Sequence, residues 1–393
     1  MPNKTMQNLG EERSEIRELF EYGNARKSEI GAEKVFDFSL GNPSVPAPDF
    51  VSGEITRLVR EMPAELLHGY TSAAGLPEVK RAVANYIESA FRVPMSENLV
   101  YMTCGAAASL VIALSAICDE GDEIVVPAPF CPEYAVFVSQ AGAKLVPVET
   151  NALFHLDIKK IEAAITSKTR AVLINSPNNP TGAVYSKEEM TALGACLKKK
   201  SAELNRPVYL LADEPYRELC FVEPPVYPMA VYENTLVLYS FSKSLSLAGE
   251  RIGYIAVSPQ CENADAVYAA VCGAGRSHGY VCAPALFQRV AALCLGKSSD
   301  IREYRENRDL LFNALEKYGY ECVPPEGAFY LFVRTPEPNA KAFCERAKKY
   351  ELLLVPSDSF GCNGFVRISY CVSRERIKNS LPAFEKLIME YKK

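Results

Sequence analysis

Short, unbroken apolar runs alternate with amphipathic helical stretches between about residues 123 and 258, and this pattern strongly constrains the fold. The runs cover residues 124–126, 171–174, 208–211, 236–238 and 252–257. Because polar residues do not alternate with apolar ones, both faces of each strand must be buried, which favours a mostly parallel sheet covered by helices. Ser186 and Glu189 form a capping-box pattern that predicts the start of one crossover helix. The sequence therefore predicts an α/β fold.

The C-terminal third of the chain has a different pattern. Helical stretches near residues 299–318, 339–350 and 374–391 are interleaved with apolar runs at residues 330–333, 352–355 and 365–368. A chain of 393 residues is long enough for two domains. We therefore predict a smaller α/β domain in addition to the large one.

Composition and charge narrow the classes of function. The formal net charge is −5 and no long basic run occurs, which argues against nucleic acid and anionic membrane surfaces as partners. Residues 1–31 lack the apolar core of a signal peptide, and no apolar stretch approaches the length of a membrane span. The 13 cysteines are odd in number and include no C-x-x-C pair, so reduced thiols in a cytoplasmic protein fit better than disulfides. His68, His155 and His278 are far apart, and we predict no metal site.

Polar residues of one chemical theme follow several of the predicted strands. They are residues 175–182, 213–216 and 240–243, together with Arg367. Ligands of open α/β sheets bind beyond the carboxyl ends of the strands, so these residues are expected to meet. A partly desolvated Lys243 can form a Schiff base with an aldehyde, and Ser240, Ser242 and Arg251 can hold a phosphate. An aldehyde and a phosphate on one molecule indicate pyridoxal 5′-phosphate as cofactor.

Each polar residue has a plausible role on this cofactor. Asp213 can keep the pyridine nitrogen protonated, which makes the ring an electron sink. Tyr216 and Asn179 can hydrogen-bond the 3-oxygen of the ring, and Arg367 offers a planar fork for an α-carboxylate. Lys243, once released by substrate, can carry the Cα proton. Taken singly, these residues also fit a turn, a helix cap and a surface arginine, and the joint order favours the catalytic interpretation.

With these motifs, the chain resembles the class I aminotransferases of the aspartate aminotransferase superfamily, which are fold type I pyridoxal-phosphate enzymes. The resemblance covers nearly the whole length and is carried by the motifs at residues 40–43, 70–77, 121–123, 179–182, 213–216, 240–243, 327–330 and 366–369. It implies a large cofactor-binding domain over residues 45–284 and a small domain formed by residues 1–44 and 285–393.

The resemblance also implies roles for residues that carry no catalytic signature of their own. Gly105, Ala106 and Ala107 match the helix N-terminus whose backbone amides hold the phosphate. Tyr70 matches a residue that reaches the phosphate of the neighbouring subunit, which implies a homodimer with shared active sites. Gly41 matches a backbone contact to the substrate carboxylate, and the small domain would close over the substrate.

Two positions depart from the family pattern. Cys131 occupies the position that usually stacks an aromatic ring on the pyridine, while Phe130 lies one residue early. Ala107 stands where some members carry a lysine that recognises a dicarboxylate substrate. Arg276, contributed by a partner subunit, could replace that lysine, or it could be an ordinary arginine at a helix end.

The sequence thus predicts a pyridoxal-phosphate aminotransferase that moves an amino group between an L-amino acid and a 2-oxo acid by a ping-pong mechanism, without naming either substrate. One alternative is another carbanion reaction on the same scaffold, such as a carbon–sulfur β-lyase or a racemase. A second alternative is a ligand-binding regulator built on this fold. That class would need a DNA-binding domain, for which residues 1–40 are too short and insufficiently basic.

Overall fold

The computed structural model describes residues 2–11 and 14–392. In chain order, strands β1 to β13 are Phe36–Asp37, Val100–Thr103, Glu123–Ala128, Lys144–Glu149, Thr169–Asn175, Tyr209–Asp213, Thr235–Ser240, Gly253–Val257, Glu321–Val323, Tyr330–Arg334, Leu352–Leu353, Val355–Pro356 and Phe365–Ser369. Helices α1 to α15 are Lys4–Glu11, Glu15–Ile30, Asp49–Glu61, Ala64–His68, Pro77–Phe91, Ala106–Ile117, Glu133–Gln140, Ile158–Ala164, Lys187–Leu204, Phe241–Ser244, Ala264–Ser277, Ala285–Leu293, Arg302–Tyr318, Ala340–Lys348 and Arg374–Met389.

The large sheet confirms the predicted fold class. Within the described residues, seven strands pair in the order β2-β8-β7-β6-β5-β3-β4. The pairs among β3 to β7 are parallel, and β8 runs antiparallel to both of its neighbours. Helix α9 begins directly after Ser186, whose side chain accepts a hydrogen bond from the Glu189 backbone, so the predicted capping box is confirmed.

Both faces of this sheet are buried, as the unbroken apolar runs require. Along β5, Val172 and Ile174 belong to one buried cluster, whereas Ala171 and Leu173 belong to another on the opposite face. Successive side chains of a strand point to opposite faces, so a strand covered on both sides must be apolar at every position. The buried polar residues Asn175, Asp213 and Ser240 each end a strand of this sheet.

The C-terminal part of the chain forms a second sheet. Its strands pair antiparallel in the order β12-β13-β10-β9, with Phe332 opposite Arg367 in the register. The apolar run at residues 352–355, predicted as one segment, divides into β11 and β12, because Leu352 and Leu353 pair with β1 near the N-terminus while Val355 pairs with β13. This pairing attaches the N-terminal segment to the C-terminal part of the chain.

Helix α12 packs in the core that covers one face of the large sheet. Its residues Val290 and Ala291 belong to the same buried cluster as Val51 of α3 and Val83 of α5. The division of the chain at residues 44/45 and 284/285 stays a prediction.

The loop after β5 and the segment before β10 approach each other closely through their backbones. The backbone amides of Glu326 and Gly327 both donate to the Gly182 carbonyl at 2.9 Å. A Cβ on Gly327 would lie 2.7 Å from the Leu219 carbonyl oxygen and 2.8 Å from Pro177 Cβ, so only glycine fits here. Nearby, Tyr330 of β10 contacts Tyr216 and Arg367 of β13 contacts Asn179, and both partners follow strands of the large sheet.

Two further observations concern the parts of the chain for which coordinates are described. No helix there is long and apolar enough to cross a membrane. Nor do three or more His, Cys, Asp or Glu side chains in those parts gather in a way that could hold a metal ion.

Candidate active site

A cavity of about 230 Å³ lies beyond the carboxyl ends of β5, β6 and β7. It brings together most of the residues predicted from the sequence. The predicted residues that line it are Ala106, Ala107, Cys131, Asn179, Asp213, Tyr216, Ser240, Ser242, Lys243 and Arg251. They come from strand ends and helix starts that are distant in the chain, so the convergence is a property of the sheet topology.

Lys243 lies in the short helix α10, directly after β7. Its Nζ donates a hydrogen bond of 2.6 Å to the Gly41 carbonyl. Burial lowers the pKa of the Lys243 ammonium to about 8, and the charges of Arg251 and Arg367 act in the same direction. An amine with this pKa is partly neutral near pH 7–8, as a nucleophile toward an aldehyde or a proton carrier must be.

Asp213 ends β6 and is only 5% exposed. Its Oδ2 accepts a hydrogen bond of 2.5 Å from the Tyr134 hydroxyl, whereas its Oδ1 is buried and has no hydrogen-bond partner in the described part of the chain. Burial raises the pKa of the Asp213 carboxyl to about 7, although the Tyr134 hydrogen bond lowers it. A buried carboxylate oxygen without a donor is costly, so this site favours a cationic or hydrogen-bond-donating ligand.

The other end of the cavity has the chemistry of an anion site. Gly105 precedes helix α6 with a φ of 88° and gives the helix no side-chain cap, so the first backbone amides of α6 are available. The Ser240 and Ser242 hydroxyls lie 2.7 Å apart, and a Cβ on Gly105 would lie 2.9 Å from Arg251 Nη2. Helix amides, two hydroxyls and a guanidinium thus converge on one spot that fits a phosphate.

Arg367 of β13 is 3% exposed and lies next to the cavity. It donates to Asn179 Oδ1 at 2.9 Å and to the Ser39 carbonyl at 2.7 Å. Its guanidinium lies 4.6 Å from the Tyr330 ring centroid and 5.1 Å from that of Phe360. Its Nε has no acceptor among residues 2–11 and 14–392. A buried guanidinium in this state can bind a carboxylate, which would supply the missing negative charge.

Tyr216 also lines the cavity. Its hydroxyl is 2.9 Å from the Tyr330 hydroxyl, and burial raises the pKa of Tyr216 well above its ordinary value, so the phenol is neutral. Tyr330 also explains Gly41, since a Cβ at that position would overlap the Tyr330 hydroxyl. The Gly41 carbonyl can therefore lie directly against Lys243.

The structure distinguishes Cys131 from Phe130. Cys131 lines the cavity, and burial raises the pKa of its thiol to about 12. Phe130 turns away: its backbone amide donates to the Phe360 carbonyl at 2.9 Å, and a Cβ on Gly361 would lie 2.7 Å from Phe130 Cε1. A thiol therefore stands at this wall of the cavity.

Five predicted site residues do not line this cavity: Gly41, Gly105 and Arg367 adjoin residues that do, and the other two are Tyr70 and Arg276. Tyr70 is 99% exposed on the surface. Arg276 is exposed in the last turn of helix α11. Their predicted roles require a second subunit and stay predictions.

Sequence reasoning missed several residues that support the site. Tyr134 bonds to Asp213, Asn175 Nδ2 donates to the Asp213 carbonyl at 2.8 Å, and Tyr330 contacts both Tyr216 and Arg367. Asn175 and Tyr330 lay within motifs already singled out, whereas Tyr134 carried no signal beyond its place three residues after Cys131.

Comparison with known proteins decides the family. The family described as aminotransferase class I and II matches residues 33–384. The chain belongs to this family. A probable aspartate/prephenate aminotransferase of Aquifex aeolicus is 31% identical over 396 residues, with 93% of this chain and 94% of the relative covered. The predicted family and enzyme class are confirmed, and the protein is an aminotransferase that uses pyridoxal 5′-phosphate.

Solved structures of aminotransferases share the fold of this one. The crystal structure of an aminotransferase from Eubacterium rectale superposes with a TM-score of 0.97 at 50% identity and covers 100% of both chains. The aspartate aminotransferase of Thermus thermophilus with maleate has a TM-score of 0.85 at 28% identity, with 96% of this chain and 97% of that chain covered.

Proposed function

We propose that Lys243, Asp213 and Tyr216 are the catalytic residues of this aminotransferase. The observation that carries the proposal is that one cavity holds a lysine with a lowered pKa and a buried carboxylate oxygen that lacks a partner. The unpartnered Asp213 Oδ1 fits a protonated pyridine nitrogen, and the amides after Gly105 with Arg251 fit the phosphate. When bound, the cofactor supplies an electron sink for the pair of electrons left on the substrate Cα.

The remaining residues would bind and orient the substrate and the cofactor ring. Arg367 would pair with the α-carboxylate, with Gly41 beside it, and Asn179 would hold both Arg367 and the 3-oxygen of the ring. Lys243 would then move a proton between the substrate Cα and the cofactor, the role that its partly neutral amine supports. An amino acid and a 2-oxo acid would use the same site in turn, which is a ping-pong cycle.

The proposal includes a homodimer with shared active sites. Tyr70 is an almost fully exposed aromatic residue, which supports a role at the phosphate site of a neighbouring subunit. Arg276 is exposed in the last turn of α11, which fits both alternatives left open by the sequence, a contact to the substrate in the partner's pocket and an ordinary arginine at a helix end. We also propose a cytoplasmic protein, which its free cysteines support.

Labelling the lysine tests the proposal directly. Borohydride reduction of the loaded enzyme followed by peptide mapping should place the cofactor on Lys243, and Lys243→Ala should lose both the label and nearly all turnover. Lys80→Ala is the matched control, because burial also lowers the pKa of Lys80, which lies outside the cavity. Label on another lysine would contradict the assignment.

Turnover with a panel of amino acids and 2-oxo acids tests the reaction itself. Amino transfer that requires both substrates is the expected result. Pyruvate release from cysteine conjugates without a 2-oxo acid would indicate β-lyase chemistry instead.

A further inference from the structure

We infer that the amino donors of this enzyme carry bulky apolar side chains rather than a second carboxylate. This inference rests on the proposed function, because it concerns the substrate of the same site. It follows from which side chains line the cavity and which of them are already engaged.

The positive charges near the cavity are all assigned by the proposed function. Among the lining residues that the structure describes, the cations are Lys243 and Arg251, and Arg367 lies directly beside them. Lys243 would hold the cofactor, Arg251 the phosphate and Arg367 the α-carboxylate. No further cation of the described chain lines the cavity, so a second carboxylate would find no partner within its own subunit, which is unfavourable.

The wall between helices α6 and α7 is apolar. Leu110 lies one turn beyond Ala106 on α6, and Phe137 lies one turn beyond Glu133 on α7. Leu110 is buried in the core cluster on this face of the sheet, and Cys131 and Phe137 pack against that cluster. These three side chains form an apolar surface that an uncharged group of the substrate can cover.

Cys131 connects this apolar wall with the residues that would hold the substrate. Cys131 lines the same cavity as Lys243 and Asn179, and Arg367 donates to Asn179 from beside that cavity. A substrate held by Arg367 at its carboxylate and by Lys243 near its Cα would therefore lie in the cavity that Cys131 lines. The small thiol leaves room there that an aromatic residue would fill.

The one acidic side chain at the rim points to the same conclusion. Glu133 lines the cavity and is exposed, and of the lining side chains described only Glu133 and Asp213 are carboxylates. Asp213 would face the pyridine nitrogen, so Glu133 stays free to repel a second carboxylate on an incoming substrate. The negative charge of Glu133 and the apolar wall thus both favour amino donors with apolar side chains.

Half-reactions measured separately for each amino donor test this inference without a dicarboxylic acceptor. The half-reaction, followed by the absorbance change of the bound cofactor, should be at least about tenfold more efficient with phenylalanine or leucine than with aspartate or glutamate. Calorimetry with unreactive analogues gives a second readout, in which 3-phenylpropanoate should bind more tightly than maleate.

Two variants sharpen the test. Ala107→Lys should raise aspartate efficiency relative to phenylalanine by about tenfold, because it adds a cation to the lining. Ala163→Lys, at an exposed alanine of α8, controls for added charge and should leave the ratio unchanged. Cys131→Trp should lower phenylalanine efficiency by filling the recess.

The outcomes separate the inference from the proposed function. Preference for aspartate, or tighter binding of maleate, overturns the inference and leaves amino transfer standing. If that preference disappears in Arg276→Ala, the second carboxylate of the substrate is bound by Arg276 of the partner subunit. If no amino acid reacts, the proposed function fails, and the calorimetric comparison still decides the side-chain class.

Discussion

The hydrogen bond from Tyr134 to Asp213 controls how strongly the site can hold a protonated ring. Tyr134→Phe removes only the phenolic oxygen that donates to Asp213 Oδ2 at 2.5 Å, and both side chains are buried. A hydrogen bond to a charged group contributes about 1.5–3 kcal/mol. Since about 1.4 kcal/mol corresponds to one pKa unit, the pKa of Asp213 should rise from about 7 to about 8–9 in the variant.

The ionised fraction of Asp213 sets the expected loss of cofactor affinity. At pH 7.5 that fraction falls from about three quarters to between about 3% and 25%, which raises the apparent dissociation constant of pyridoxal phosphate about 3- to 25-fold. The ratio of the two constants should be largest near pH 6 and approach one near pH 10, where both carboxyls are ionised. Titrations of the cofactor itself cancel in this ratio.

Cofactor binding to the apoprotein, followed by calorimetry or fluorescence from pH 6 to 10, measures the ratio. Tyr185→Phe is the matched control, because Tyr185 is buried outside the cavity. A loss of affinity that does not change with pH, or an equal loss in the control, would refute the reasoning.

Three further predictions follow from the same geometry. The pKa of Asp213 in the folded protein lies above its ordinary value, so the apoprotein loses stability as pH rises from about 4 to 7. Asp213→Asn should therefore raise the free energy of unfolding, measured in urea, by roughly 2–4 kcal/mol at pH 8. The half-reaction rates of the loaded enzyme should fall by orders of magnitude in the same variant. His155 lies between Glu189 and Glu326, whose hydrogen bonds raise the pKa of the imidazole to about 10. The stability this provides is complete below about pH 6.5 and disappears as pH rises through 10, so His155→Gln should cost roughly 2–4 kcal/mol at pH 6 and little at pH 10.5 in denaturant titrations. Arg367→Lys should weaken every amino acid substrate by roughly 2–5 kcal/mol in binding assays, whereas a loss confined to dicarboxylates would reassign it to side-chain recognition.

The sequence by itself determined the fold class and the core of the site. Unbroken apolar runs can be buried only in a sheet covered on both faces, and the carboxyl ends of its parallel strands share one edge. Asp213, Lys243 and Asn179 were therefore expected to meet, because each comes within about five residues of the end of such a run, and all three line one cavity. The physical reason is local: the spacing of apolar residues and the order of strands along the chain can be recognised without knowledge of how the chain packs.

Tertiary structure alone decided the contacts between segments distant in the chain. Tyr134 and Asp213 are 79 residues apart, and only the packing of α7 on the sheet brings the phenol to the carboxylate. Packing against Phe360 likewise turns Phe130 away and leaves Cys131 on the cavity wall. The apolar segment at residues 352–355 divides between two sheets because its two halves find different partner strands. These contacts depend on complementary shape and on the removal of polar groups from water. Both arise only when the chain is folded.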